Sequence, residues 1–246
     1  MSTPIARERR HTLAFLDEIR AVAPVYLDTE VDMTAVEAHR NAAGRKYSFV
    51  SYVLEAAAGV LAKHPEANAA VHGRIRPRVT RYESVNAKLT LDRTLNGRRI
   101  VLAALLKDLQ HADLDGIQDR IDHYRDGDPA SMPEFAGVRA LHKLPWPVRQ
   151  FAYRRTVRPL AKRADVIGTF AVTSLGHRPV DGFHSVGGTT ITLGVGRIAD
   201  RPVVRDGAVV PGRVMRLSLS FDHRVIDGAE AADVLAEIKS ALECKS

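Results

Sequence analysis

The residues best suited to chemistry lie near the C-terminus, in the stretch Phe221-Asp222-His223-Arg224-Val225-Ile226-Asp227-Gly228. An imidazole changes charge near neutral pH, so a neutral His223 can take a proton from a thiol or a hydroxyl. It directly follows Arg216-Leu217-Ser218-Leu219-Ser220-Phe221, whose alternation reads as a strand, and it precedes a helical pattern over 228–243. A loop at a strand end can hold such a side chain over a cleft. A nucleophile deprotonated there attacks a thioester carbonyl, and the tetrahedral oxyanion then needs a hydrogen-bond donor. Thr173 and Ser174, at the end of another strand pattern and just before Leu175-Gly176, offer uncharged hydroxyl donors. His-x-x-x-Asp-Gly is a short pattern, and its acids have plainer readings. Asp227 equally suits a cap for the last helix. Asp222 either orients the imidazole or anchors a buried ion pair.

The elements that must position these groups follow from hydrophobic period and turn residues. Residues 4–22 have the spacing of an amphipathic helix stopped by Pro24, and Val25 to Val31 alternates as a half-buried strand. Asp32 or Thr34 is a candidate cap for a helix to about Asn41, and Ser48 for a helix from Phe49 to Lys63. In that second helix Ala56, Ala57, Ala58 and Gly59 permit close packing on a sheet. Strand patterns over 84–91 and 99–106 flank an Asn96-Gly97 turn. A helix is expected over 109–124, then a loop over 125–137. Pro145, Pro147 and Pro159 interrupt a partly helical segment over 143–163. Strands are expected over 166–173, 189–198 and 214–221, with a loop of four glycines over 176–188 and a hairpin at Asp206-Gly207. This order favours an α/β sandwich: a large mixed sheet with flanking helices.

Length and composition bound the possibilities. The 246 residues are 45% hydrophobic and 26% charged, ordinary for a globular protein with a core. No apolar run approaches the roughly 18 residues of a membrane span. Residues 1–10 are polar and basic and do not read as a secretory signal. The single cysteine, Cys244, rules out an intrachain disulfide and a cysteine-rich zinc site, and no histidine pair has the spacing of a metal site. A reducing cytoplasm is the expected compartment. Lys143 to Arg163 holds seven basic residues and no acid, which equals the whole formal charge of +7.

The stretch Leu217 to Ala229 resembles the catalytic signature of the 2-oxoacid dehydrogenase acyltransferases, the dihydrolipoamide acyltransferase cores. Phe170-Ala171-Val172-Thr173-Ser174-Leu175-Gly176 resembles that family's strand before a second active-site loop. Val25 to Thr34 is similar to its first core strand, and Pro65-Glu66-Ala67-Asn68-Ala69 to the end of its second helix. The resemblance covers most of 7–110 and 166–243. It implies one chloramphenicol acetyltransferase-like domain over 1–246. It also implies a homotrimer whose sites lie between subunits, and acyl transfer between CoA and a dihydrolipoyl thiol. His223 would be the base from one subunit, and the hydroxyl of Thr173 (or Ser174) would come from its neighbour. The family usually has serine at the position of Thr173. Asp227 matches the motif's second polar position, and Arg9, with Arg10 close behind, is the best match for an arginine that holds it. CoA is then a substrate, with no bound cofactor and no metal. No stretch resembles a lipoyl or peripheral-subunit-binding domain, so the lipoyl group is expected from another protein.

Residues 128–165 match nothing in that family and form a basic insertion. Arg154, Arg155 and Arg158 could bind CoA phosphates, since guanidinium suits phosphate. The segment could equally lie on an anionic membrane, dock an acidic partner such as a carrier protein, or be a solvated helical face. Nucleic acid is not expected, because the aromatics are too few for a stacking platform. Gly194-x-Gly196 reads as strand geometry, and His177 and His184 as surface groups or substrate contacts. The alternative to an enzyme is a non-catalytic trimeric scaffold or an acyl-CoA-binding protein.

Overall fold

The computed structural model describes residues 3–73 and 75–245. A 3-10 turn, Arg7–Arg9, leads into α1 (Arg10–Glu18), and a second turn, Ile19–Ala21, leads to β1 (Pro24–Asp32). The helix expected over 4–22 is thus broken into three pieces. Then follow α2 (Thr34–Ala42), α3 (Phe49–Leu61), and a small hairpin of β2 (Ala69–His72) and β3 (Arg78–Arg81) that the sequence pattern did not indicate. Asp32 accepts from the Thr34 amide at 3.0 Å, and Ser48 caps α3 through the Ser51 amide at 3.2 Å. The strands β4 (Ala87–Leu95) and β5 (Arg98–Leu106) join through Asn96 and Gly97, whose φ values of 51° and 72° fit a two-residue hairpin turn.

Asp113 caps α4 (Leu114–Asp126) through the Gly116 amide at 2.8 Å. The segment expected as a loop and broken helix forms α5 (Ala136–Lys143), α6 (Trp146–Val157) and α7 (Leu160–Arg163). The chain then enters β6 (Phe170–Ser174), β7 (Ile191–Arg205), β8 (Ala208–Asp222) and α8 (Gly228–Glu243). The strand expected from Val166 starts at Phe170. The two expected strands around Asp206-Gly207 are one continuous hairpin, with Arg205 opposite Ala208.

These strands build a six-stranded mixed sheet in the order β1-β8-β7-β6-β4-β5. β6 runs parallel to β4 and β7, while β8 runs antiparallel to β7 and β1. The period of two divides the faces. Phe170, Val172, Ile191, Leu193, Leu217, Leu219 and Phe221 enter the apolar core. α8 lies against β1 and β8, and α3 packs on α8 and α4, so the small residues of α3 close on helices rather than chiefly on the sheet.

The other face carries Thr173, Thr192, Gly194, Ser218, Ser220 and Asp222, and the loop before β7 crosses it. A Cβ at Gly194 would strike the Phe183 carbonyl, and one at Gly196 the Asp181 carbonyl. Those glycines therefore admit a backbone onto the sheet, in line with the strand reading of Gly194-x-Gly196.

His64, at the end of α3, bridges two acids of α8: Nδ1 lies 2.8 Å from Glu230 and Nε2 3.0 Å from Glu237. Burial opposes its charge, but the two carboxylates outweigh that and raise its pKa above the ordinary histidine value. A raised folded-state pKa adds stability that is full below the unfolded value and fades as pH rises through the folded one. Urea unfolding at pH 5.5 and 8.5 should therefore show a loss of about 1 kcal/mol at the higher pH, absent in His64→Ala.

Candidate active site

His223 stands just beyond the last residue of β8, in the turn before α8. Its amide donates to the Ala23 carbonyl at 2.9 Å, so the chain entering β1 fixes the backbone beneath the imidazole. The ring lies 5.4 Å from that of Phe221, centroid to centroid. Nδ1 faces Asp227 Oδ1 at 3.5 Å, leaving Nε2 free to face a substrate. Asp227 occupies the N-cap position of α8 but makes no capping bond, and its side chain is 89% exposed. The capping alternative is thereby corrected: the carboxylate is turned to the histidine.

Asp222 is an anchor, not an orienter of the ring. It is buried, and it holds Arg224 through Nε at 2.8 Å and the Ala23 amide at 3.4 Å. Its own amide donates to the Thr190 carbonyl at 3.0 Å. The expected pair between Arg9 and Asp227 is not formed. Arg9 lies on the first 3-10 turn, which packs on α5 and β5, the far edge of the sheet from β8. Among the described residues Arg9 has no ion pair, and Arg10 donates to the His142 carbonyl at 2.9 Å.

Thr173, next to last in β6, has its hydroxyl 3.0 Å from that of Thr90 on β4, and Ser174 Oγ accepts from the Gly176 amide at 3.3 Å. These hydroxyls are remote from His223 of the same chain. Thr173 pairs with Gly194, and Gly194 with Ser218, five positions before His223. That is about 17 Å along the strand and about 10 Å across two strand spacings, roughly 19 Å in all. Because β6 and β8 run in opposite directions, His223 and the hydroxyls lie at opposite ends of these strands.

Arg154 and Arg158 are committed within the chain. Arg154 pairs with Asp17 at 2.8 Å, and Arg158 forks onto Glu18 with two contacts of 2.9 Å. A phosphate there would compete with those carboxylates. Arg155 has no carboxylate partner among the described residues. No cluster of three metal-ligating side chains occurs among the described residues, and no helix there is long and apolar enough to cross a membrane.

Residues 160–245 match the family model described as 2-oxoacid dehydrogenases acyltransferase (catalytic domain). That segment is similar to the catalytic domain of those acyltransferases. It holds Thr173, Ser174, Asp222, His223 and Asp227. The dihydrolipoyllysine-residue acetyltransferase component of the Bacillus subtilis pyruvate dehydrogenase complex is 58% identical over 50 residues, which are 20% of this chain and 11% of that protein. The chain thus spans about a tenth of the length of the curated relatives it matches.

Solved structures extend the likeness of fold over the whole chain. A probable dihydrolipoamide acetyltransferase from Listeria monocytogenes aligns with a TM-score of 0.73 at 22% identity, covering 100% of this chain and 95% of that one. The Azotobacter vinelandii dihydrolipoamide acetyltransferase aligns at 0.72 and 23% identity, covering 99% and 91%. That study concerns a serine, a histidine and an asparagine in its catalytic mechanism, the last two four positions apart. A chloramphenicol acetyltransferase aligns at 0.53 and 19% identity, covering 98% and 100%. The expected fold is borne out.

Sequence reading missed several contacts around these residues. Thr90 is one of the alternating polar residues of its strand, and nothing local marks it as the partner of Thr173. Buried Lys88 donates to the Gly187 carbonyl, and Arg163 to the Gly188 carbonyl at 2.8 Å. Burial, with Arg163 nearby, pushes the Lys88 ammonium down to about 7. The two cations pin the turn that leads to Thr190. Local patterns cannot show such contacts, because Lys88 and Gly187 are far apart in sequence. Asp222→Asn, which strips the charge facing Arg224, should lower the denaturation free energy by about 2 kcal/mol in urea titrations.

Proposed function

We propose that the protein is a CoA-dependent acyltransferase that exchanges an acyl group between CoA and a dihydrolipoyl thiol carried on a separate domain. His223 is the general base. Its Nε2 takes the proton of the acceptor thiol, and the thiolate attacks the carbonyl carbon of the acyl-CoA thioester. The C–S bond to CoA breaks as the tetrahedral adduct collapses, and the CoA thiolate recovers the proton from His223. One thioester is made and one broken, so the reaction runs in either direction. Asp227, 3.5 Å from Nδ1, supports the tautomer with Nε2 free and the imidazolium that forms during transfer. The His-to-Asp spacing equals the histidine-to-asparagine spacing of the Azotobacter enzyme.

The observation that carries the assembly is the separation of His223 from Thr173. A base and an oxyanion donor must both lie within about 3 Å of the reacting atoms, and one chain holds them roughly 19 Å apart. We therefore infer a homotrimer in which the hydroxyl of Thr173 or Ser174 meets the neighbouring chain's histidine.

His223→Ala should lower acetyl transfer from acetyl-CoA to dihydrolipoamide by about a hundredfold or more, in an assay of thioester formation. Thr173→Ala should lower it by about a hundredfold. Unfolding and refolding the two variants together should restore part of the activity, because some interfaces then pair an intact His223 with an intact Thr173. Mixed trimers that stay inactive would count against the shared site.

A further inference from the structure

The acyl-transfer chemistry leaves α6 without a role, yet α6 carries the most conspicuous exposed aromatics of the chain. A groove of about 630 Å³ runs along it, lined by Trp146, Gln150, Phe151, Arg154, Arg155 and Arg158. Trp146 is 68% exposed and Phe151 67%, far more than large aromatics need to be in a well-packed chain. No acid lines the groove. Arg154 and Arg158 keep 40% and 41% of their side chains exposed beside their ion pairs, and Arg155 is unpaired among the described residues.

We propose that this groove docks an acidic peptide segment of the domain that carries the acceptor thiol. The proposal rests on the acyl-transfer reading and names the partner that it requires. Charge complementarity gives the sign: Lys143 to Arg163 contains seven basic residues and no acid. Trp146 and Phe151 supply the anchors that such interfaces use.

Location supplies the link to the chemistry. Arg154 and Arg158 clamp α6 onto Asp17 and Glu18 at the end of α1. The chain runs on from there to Ala23, whose carbonyl holds the His223 amide at 2.9 Å. A segment in the groove therefore lies beside the same strut that seats the base. A lipid surface fits less well. The apolar residues of α6 do not share one face: Trp146 and Phe151 point outward while Val157 is buried, and Arg149 and Gln150 are buried with it.

Trp146 is the only tryptophan in the sequence, so its emission reports occupancy without any turnover. The probes are two synthetic peptides carrying dihydrolipoyl-lysine, one flanked by Asp and Glu and its twin by Lys. The acidic peptide should shift Trp146 emission and bind at least about tenfold more tightly than its twin. Phe151→Ala and Arg155→Glu should each weaken binding and raise its KM by about tenfold, with free dihydrolipoamide turned over as before.

Equal binding of the two peptides, or unchanged affinity in both variants, overturns the proposal. So does a groove whose variants lose binding to anionic phospholipid vesicles, or change the sedimentation of the protein, without altering peptide affinity. Lipid or a second copy would then be the occupant. If the wild type acylates no free dihydrolipoamide yet still selects the acidic peptide, the acyl-transfer reading fails while the groove's preference for acidic segments stands.

Discussion

Asp222 ties together the parts of the chain that must agree before His223 has a fixed position. Its carboxylate holds Arg224 and reaches the Ala23 amide, its amide is taken by the Thr190 carbonyl, and the next amide goes back to the Ala23 carbonyl. Three distant segments thus meet at one buried carboxylate: the entry to β1, the entry to β7 and the exit of β8. Removing a buried charge's partner leaves the other charge stranded, so the knot holds together or fails together. Ile226, buried two residues after Arg224, drives the same turn into the core from its far side. The imidazole is left as the exposed end of a rigid construction.

The sheet beneath is two-sided in chemistry. One face is apolar and feeds the main core. The other is lined by hydroxyls and glycines, and the chain lies directly on it. Carrying a backbone across a sheet calls for polar partners, and Thr192 supplies one by accepting from the Gly187 amide at 2.9 Å. Buried Lys88 and half-buried Arg163 add two donors on neighbouring carbonyls. The loop that looks irregular in sequence is therefore held at close intervals.

Legibility in the sequence followed the range of the interactions. The α8 limits, the Ser48 cap, the Asn96-Gly97 turn and the alternation of Leu217 to Asp222 are local, and each was readable from neighbouring residues. The approach of Asp227 to His223 is local for the same reason: four positions span one short turn. The β2–β3 hairpin was not readable, because each strand is only four residues long and shows no clear alternation. Arg9 was misassigned because chain position was used in place of geometry: its turn packs beside β5, not beside β8. Arg154 and Arg158 looked like free cations only because Asp17 and Glu18 lie over a hundred residues away. The antiparallel course of β8 against β6, which separates His223 from Thr173, is a property of topology that no single stretch contains.

The β7–β8 hairpin continues past the point where its neighbours stop. β6 leaves β7 at Val195, and β1 leaves β8 at Val214, so Asp200 to Arg213 is a ribbon of two strands. A lone pair of strands is marginal in water, and Val204 and Val209 near its tip remain 72% exposed. What fastens it are half-exposed ion pairs, Arg205 to Asp32 and Arg213 to Glu37. Such tethers weaken within a Debye length that shrinks as salt is added, whereas apolar burial does not. The ribbon is thus the part of the six-stranded sheet least supported by burial, and its opening depends on ionic strength more than that of the central strands.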